Sequence, residues 1–194
     1  MKVFLDANVI ANWILIKKGA SGRHKKDSVL SERYKYLSQS YNLLERLQSL
    51  KLEVFTSQLA IGETLSVIYD DAINLKLYTK GFPTATWTRI GIREKERLEK
   101  EEAYEIYEGI MKIFDELFSF VKILDDVLDL ELLGHLILLR GIRTHDAILL
   151  TTVISNEMDY FVTRDGRLTK KMRNSKRQFG LELLSSINLL NKIS

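Results

Sequence analysis

The chain has no cysteine among its 194 residues, which excludes a disulfide framework, a thiolate zinc site and a cysteine nucleophile. That lack suits a reducing interior. It has one proline, Pro83, and neither an internal repeat nor a low-complexity tract, so a disordered or linker-rich chain is excluded. Long apolar runs are missing too. The opening Val3-Phe4-Leu5 stops at Asp6, too short for the apolar core of a signal peptide, and nothing further on approaches a membrane span. A cytoplasmic protein with no membrane contact is expected. A large excess of one charge is also lacking, because the net charge of +3 is too small to argue for a nucleic-acid partner by itself.

What is present is an ordinary globular balance of 45% hydrophobic and 28% charged residues, enough to bury a core. Residues 1–194 read as a single domain with a helical elaboration around residues 79–120. The charge is unevenly spread. Lys17, Lys18, Arg23, Lys25 and Lys26 make one basic stretch, Arg164, Arg167, Lys170, Lys171, Arg173, Lys176 and Arg177 another, and Glu94 to Glu108 is acid-rich.

Short apolar runs alternate with longer stretches of helical spacing. Strands are expected at Lys2 to Leu5, Glu53 to Thr56, Val121 to Leu124, Tyr160 to Thr163 and Leu181 to Leu184. Between them, Asp27 to Leu50 carries an apolar stripe through Leu30, Tyr34, Leu37, Tyr41, Leu44 and Leu47 that predicts one long helix, capped by Asp27 or Ser28. Ser57 is placed to cap the helix carrying Glu63, and Thr144 the helix carrying Asp146. Thr79 to Ile90 reads as a loop, Arg93 to Phe118 and Val127 to Leu139 as helices. This order predicts a three-layer α/β/α protein with a short, mainly parallel sheet, in which ligands bind beyond the carboxyl ends of the strands.

Asp6 follows the first strand and Asp165 the fourth, both at that edge, and Glu63 and Asp146 lie near the starts of helices that can reach it. Four converging carboxylates repel one another unless cations sit among them. Oxygen ligands favour Mg²⁺ or Mn²⁺, and one or two such ions, roughly 4 Å apart when paired, support water attack on a phosphodiester. The products would carry a 5′-phosphate and a 3′-hydroxyl. Each acid also has a structural explanation: Asp6 as a helix cap, Asp146 as a first-turn partner of the helix dipole, Asp165 in an Asp-Gly turn, and Glu63 at a partly exposed helix position.

Taken in order, Val3-Phe4-Leu5-Asp6-Ala7-Asn8, the helix with Glu63, Thr144-His145-Asp146-Ala147-Ile148-Leu149-Leu150 and Phe161-Val162-Thr163-Arg164-Asp165 resemble the PIN-domain nucleases. That family includes toxin ribonucleases of the VapC type and RNA-processing enzymes. The resemblance spans nearly the whole chain. It implies a metal-dependent endoribonuclease with Asp6, Glu63, Asp146 and Asp165 as catalytic and metal-holding acids and Asn8 and Thr163 supporting them, Thr163 by a hydrogen bond to Asp6. Gly166-Arg167 stands where some members carry a further acid, which leaves open one metal or two. The resemblance also implies a homodimer, joined through the Arg93 to Phe118 stripe or the first long helix, and a protein antitoxin if the chain is a toxin. The alternatives are an RNA-processing nuclease and an inactive RNA-binding member of the family.

Arg164, Arg167, Lys170 and Lys171 follow the acidic site directly and are candidates for holding RNA phosphates. His145 is a further phosphate-contact candidate, while His24 and His135 read as surface and boundary residues. Trp13, Tyr78 and Trp87 are the aromatic candidates for base stacking, against an ordinary place in the core or a loop.

Overall fold

A computed structural model describes residues 1–18, 27–87 and 97–194. Its five strands are β1 (Lys2–Leu5), β2 (Glu53–Ser57), β3 (Val121–Leu124), β4 (Tyr160–Val162) and β5 (Glu182–Leu184), and they form one sheet in the order β3-β2-β1-β4-β5. Every neighbouring pair is parallel. The sheet is therefore wholly parallel, and the expected three-layer α/β/α class holds.

The helices are α1 (Ala7–Lys17), α2 (Ser28–Tyr34), α3 (Leu37–Ser49), α4 (Gln58–Thr79), α5 (Lys100–Phe118), α6 (Leu130–Gly134), α7 (Thr144–Ser155), α8 (Gly166–Lys171), α9 (Ser175–Phe179) and α10 (Ser186–Lys192). Successive residues of a strand point to opposite faces, and β1 shows what this does here. Val3 and Leu5 join a cluster with Ile10, Leu43, Leu47, Phe114, Leu117 and Leu189, from α1, α3, α5 and α10. Phe4 joins the opposite cluster with Leu136, Leu150, Phe161 and Leu168, its ring stacked on Phe161 at 5.5 Å between centroids. Both faces of the central strand are covered, which explains why it reads as an unbroken apolar run rather than an alternating one.

Several expectations are corrected. The stripe from Asp27 to Leu50 is two helices, broken at Lys35-Tyr36. Its first half, Leu30, Tyr34 and Leu37, packs with Leu15, Ile16 and Leu75, whereas Leu43, Leu44 and Leu47 enter the main core. One continuous stripe thus serves two clusters that face differently. Asp27 is the cap, accepting from the Val29 and Leu30 N–H groups at 2.9 and 3.1 Å. Thr144 is the first residue of α7, and Arg143 occupies the cap position. The helix read across Val127 to Leu139 is short, and after α6 it widens into a π turn at His135–Leu139.

The apolar stripe of α5 turns inward at Ile110, Phe114 and Leu117, which are buried against the chain's own core. Lys17 and Lys18 also turn inward, the first pairing with Glu116 at 2.6 Å and the second donating to the Ile106 carbonyl. Trp13 and Trp87 are buried and offer no surface for stacking. Tyr78 donates its hydroxyl to Asp27 and packs edge-on against Trp87. Arg23, His24, Lys25 and Lys26, and residues 88–96 of the expected loop and helix start, lie outside the described residues. Among the described residues no helix is long and apolar enough to cross a membrane.

Candidate functional site

From β1 the chain proceeds to β2 and β3 on one side of the sheet, then returns to β4 and β5 on the other. The switch in direction falls between β1 and β4, and at such a point the connections diverge and leave a crevice beyond the carboxyl ends. Asp6 stands at that end of β1. Its backbone N–H donates to the Val162 carbonyl at 3.0 Å, which ties the two strand ends together.

The Asp6 carboxylate is buried and fixed from two directions. One oxygen caps α1 by accepting from the Ala7 N–H at 2.8 Å. The other accepts from the Thr163 hydroxyl at 2.6 Å, and that hydroxyl accepts in turn from the Asp165 N–H at 3.0 Å. Thr163, one residue past β4, therefore links the first acid to the last. Asp165 is the N-cap of α8 rather than part of an isolated turn, accepting from the Arg167 and Leu168 N–H groups at 2.7 and 3.0 Å.

Glu63 comes from α4, whose start is fixed by the Ser57 hydroxyl accepting from the Ala60 N–H. Residues 63, 66, 67 and 70 share one helix face, and Glu63, Ser66, Val67 and Asp70 all line a cleft of about 600 Å³ together with Asp6, Asn8, Arg143, Thr144, His145, Asp146 and Asp165. All four sequence-predicted acids, and Asn8, open into this one cleft. Thr163 lies beneath it. His145 Nδ1 lies 3.1 Å from a Glu63 oxygen, so this histidine braces an acid across two helices. Among the described residues, no three acids or histidines close around one point as a formed coordination sphere.

The charges are mutually perturbing. Burial, with Glu63 and Asp146 adding to it, pushes Asp6 up to about 6 against the pull of Thr163 and the Ala7 N–H. Burial also raises Glu63, where His145 opposes the rise and Asp146 adds to it. Burial raises Asp146, helped by Asp165 and opposed by Arg143, His145 and Lys171. Three carboxyls thus hold protons above the ordinary carboxylate range because they share a partly desolvated space. The donor set is oxygen throughout, and a divalent cation would relieve that repulsion.

Arg164 and Arg167 border a second groove of about 680 Å³, which shares Asn8 and Asp165 with the acidic cleft. Lys170 and Lys171 lie exposed at the end of α8, and Lys171 donates to the Gly141 carbonyl. Sequence reasoning missed Ser66, Asp70 and Arg143. The first two carry a signal in the i, i+3, i+7 spacing from Glu63, and Arg143 in its position just before α7.

Fold and cleft together define a class: a three-layer α/β/α protein with a parallel sheet and an acidic crevice at its topological switch point. No family model matches the chain. A protein of Archaeoglobus fulgidus, named only as an uncharacterized protein, is 45% identical over 102 residues, which make up 52% of this chain and 86% of that relative. The chain belongs to the same family as that protein.

Proposed function

We propose that this chain is a metal-dependent endoribonuclease of the PIN-domain kind. The observation that carries the reading is the convergence of Asp6, Glu63, Asp146 and Asp165, from four separate segments, on one cleft at the switch point. Asp6, Glu63, Asp146 and Asp165 would hold Mg²⁺ or Mn²⁺. Such an ion supplies a charge that lowers the pKa of a water and steadies the leaving oxygen of a phosphodiester.

The chain's own residues have defined tasks in this reading. Thr163 orients one Asp6 oxygen, and the helix cap fixes the other, so the carboxylate is held in place before substrate arrives. His145 positions Glu63. Arg143, Arg164, Arg167, Lys170 and Lys171 supply positive charge for the RNA backbone around the acidic floor. Such an enzyme suits the toxin half of a toxin–antitoxin pair, with a protein antitoxin as partner, or a role in RNA processing. A small antitoxin-like neighbouring gene favours the first. The lack of cysteine suits a cytoplasmic setting.

The test is cleavage of end-labelled single-stranded RNA with Mn²⁺ or Mg²⁺, comparing wild type, Asp6→Asn and Asp146→Asn. Products ending in 5′-phosphate and 3′-hydroxyl are expected, with each variant slower by more than about a hundredfold. Equal cleavage by all three proteins, or cleavage that survives EDTA, overturns the reading.

A further inference from the structure

Arg164 stands between the two residues that frame the acidic cleft, Thr163 and Asp165, yet its side chain turns the other way. Its guanidinium carbon lies 5.4 Å from the centre of the Tyr36 ring. Among the described residues its guanidinium has no carboxylate partner and no hydrogen-bond acceptor, and contact with the protein holds its pKa below the ordinary arginine range through loss of water. A cation partly stripped of solvent and left without a counter-ion is completed by an anion from outside.

Tyr36 is the other half of the pair. It sits in the break between α2 and α3, 43% exposed. Lys35 Nζ lies 4.9 Å from its ring centre and is itself paired with Glu32, so the ring is braced among cations rather than packed into apolar neighbours. Arg164, which touches this ring, also lines a groove with Asn8, Asp165, Gly166 and Arg167. Aromatic rings and guanidinium planes are the two surfaces on which unstacked bases lie, and arginines at hydrogen-bonding reach hold the phosphates between them. Tyr69, Tyr104 and Tyr107 are exposed as well, and among the described residues Tyr36 is the exposed ring that carries an arginine of this groove.

We propose that Tyr36 and Arg164 form a nucleotide subsite for single-stranded RNA, with a base stacked on the Tyr36–Arg164 platform and its phosphate held by Arg164 and Arg167. The choice of RNA rests on the ribonuclease reading. The subsite passes the strand to the acidic cleft through the shared wall of Asn8 and Asp165. It accepts a base of any identity, since every base offers a ring face, and it excludes a duplex, whose bases are already stacked on one another.

The test measures binding of a short single-stranded oligoribonucleotide carrying 2-aminopurine, in EDTA so that binding is read without hydrolysis. Wild type quenches the fluorescence on binding. Tyr36→Ala weakens binding by about 5- to 100-fold and abolishes the quench, while Tyr36→Phe, which keeps the ring, restores both. Arg164→Gln lowers the slope of log affinity against log salt by about one, and a matched RNA duplex binds at least about tenfold more weakly than the single strand. The proposal is overturned by wild type that does not bind, by Tyr36→Ala that binds and quenches as wild type does, or by a duplex that binds as tightly. The two readings fail separately. Tyr36-dependent binding with no cleavage in Mn²⁺ sustains the subsite and sinks the ribonuclease, whereas cleavage with Tyr36-independent binding does the reverse.

Discussion

At Asp6 the demands of folding oppose those of the proposed ion binding. Its carboxyl rises from 3.8 to about 6 in the folded chain, so the folded state holds this proton more tightly than the unfolded one. The resulting stabilisation is fully present below pH 3.8 and is lost as pH rises through about 6. Its full size is about 3 kcal/mol. In EDTA, the urea midpoint of wild type therefore falls relative to that of Asp6→Asn between pH 4.5 and 7.5, and the variant is the more stable protein at the upper end. Comparing the two proteins cancels Glu102 and Glu182, whose lowered values act in the opposite direction. Parallel pH curves for the two would show that Asp6 is not perturbed in this way. Thr163→Val removes the strongest influence lowering Asp6, and the wild-type fall then moves to higher pH. The residues of this site that were legible in the sequence are those at strand ends, Asp6, Thr163 and Asp165, because an apolar run announces where it stops. Asp70 and Arg143 carry only the weaker signals of helical spacing from Glu63 and of a place just before α7, and Tyr36 reaches the site only through the packing of elements distant in sequence, with no local pattern to mark it.

Elements were legible where one apolar face meets one neighbour, as with α4, α5 and α7, and were misread where a stripe changes neighbours. The break at Lys35-Tyr36 is held by a polar knot with no counterpart in hydrophobic periodicity. Arg33 donates through Nε and Nη2 to one oxygen of Asp71 at 3.0 and 2.6 Å, and the Tyr34 hydroxyl donates to the other at 2.8 Å. Asp71 is buried on α4, so this knot fastens α2 to the helix that carries Glu63. Asp71→Ala leaves the Arg33 guanidinium and the Tyr34 hydroxyl without their acceptor. Partial exposure of Arg33 softens the loss, and a destabilisation of about 2–3 kcal/mol is expected in urea unfolding. Tyr34→Phe, which removes only one donor, is expected to lose about 1 kcal/mol. If Asp71→Ala unfolds at the wild-type midpoint, the knot contributes nothing and the break is set by the turn alone.

Across the whole molecule the least expected surface is a leucine strip between β3 and α7. Leu128, Leu130, Leu138 and Leu139 are 65%, 83%, 81% and 76% exposed, in a segment where Leu136 is buried and Leu132, Leu133 and Ile137 are partly buried. Water-facing leucines gathered in this way mark a contact surface. Acids Asp125, Asp126, Asp129 and Glu131 stand at the start of the strip, and Arg140 and Arg143 at its end. A twofold axis through its middle would lay the acidic end of one copy on the basic end of another, which is the self-complementarity an isologous dimer requires. The exposed rings on α5, Tyr104 and Tyr107, stand among Glu101, Glu105 and Glu108, and the same operation there would set acid against acid. A homodimer through the leucine strip is therefore expected in sedimentation at micromolar concentration, with Leu138→Glu shifting it to monomer and leaving the unfolding midpoint of the monomer within about 0.5 kcal/mol of wild type. A wild-type monomer, or a dimer indifferent to Leu138→Glu, would locate the interface elsewhere. Arg143 lines the acidic cleft as well as ending the strip, so a dimer of this geometry brings the partner's acidic end beside the cleft. If the proposed ribonuclease reading holds, cleavage by the monomeric variant would then respond to salt differently from the wild type, since its bordering arginine no longer shares its charge with a second chain.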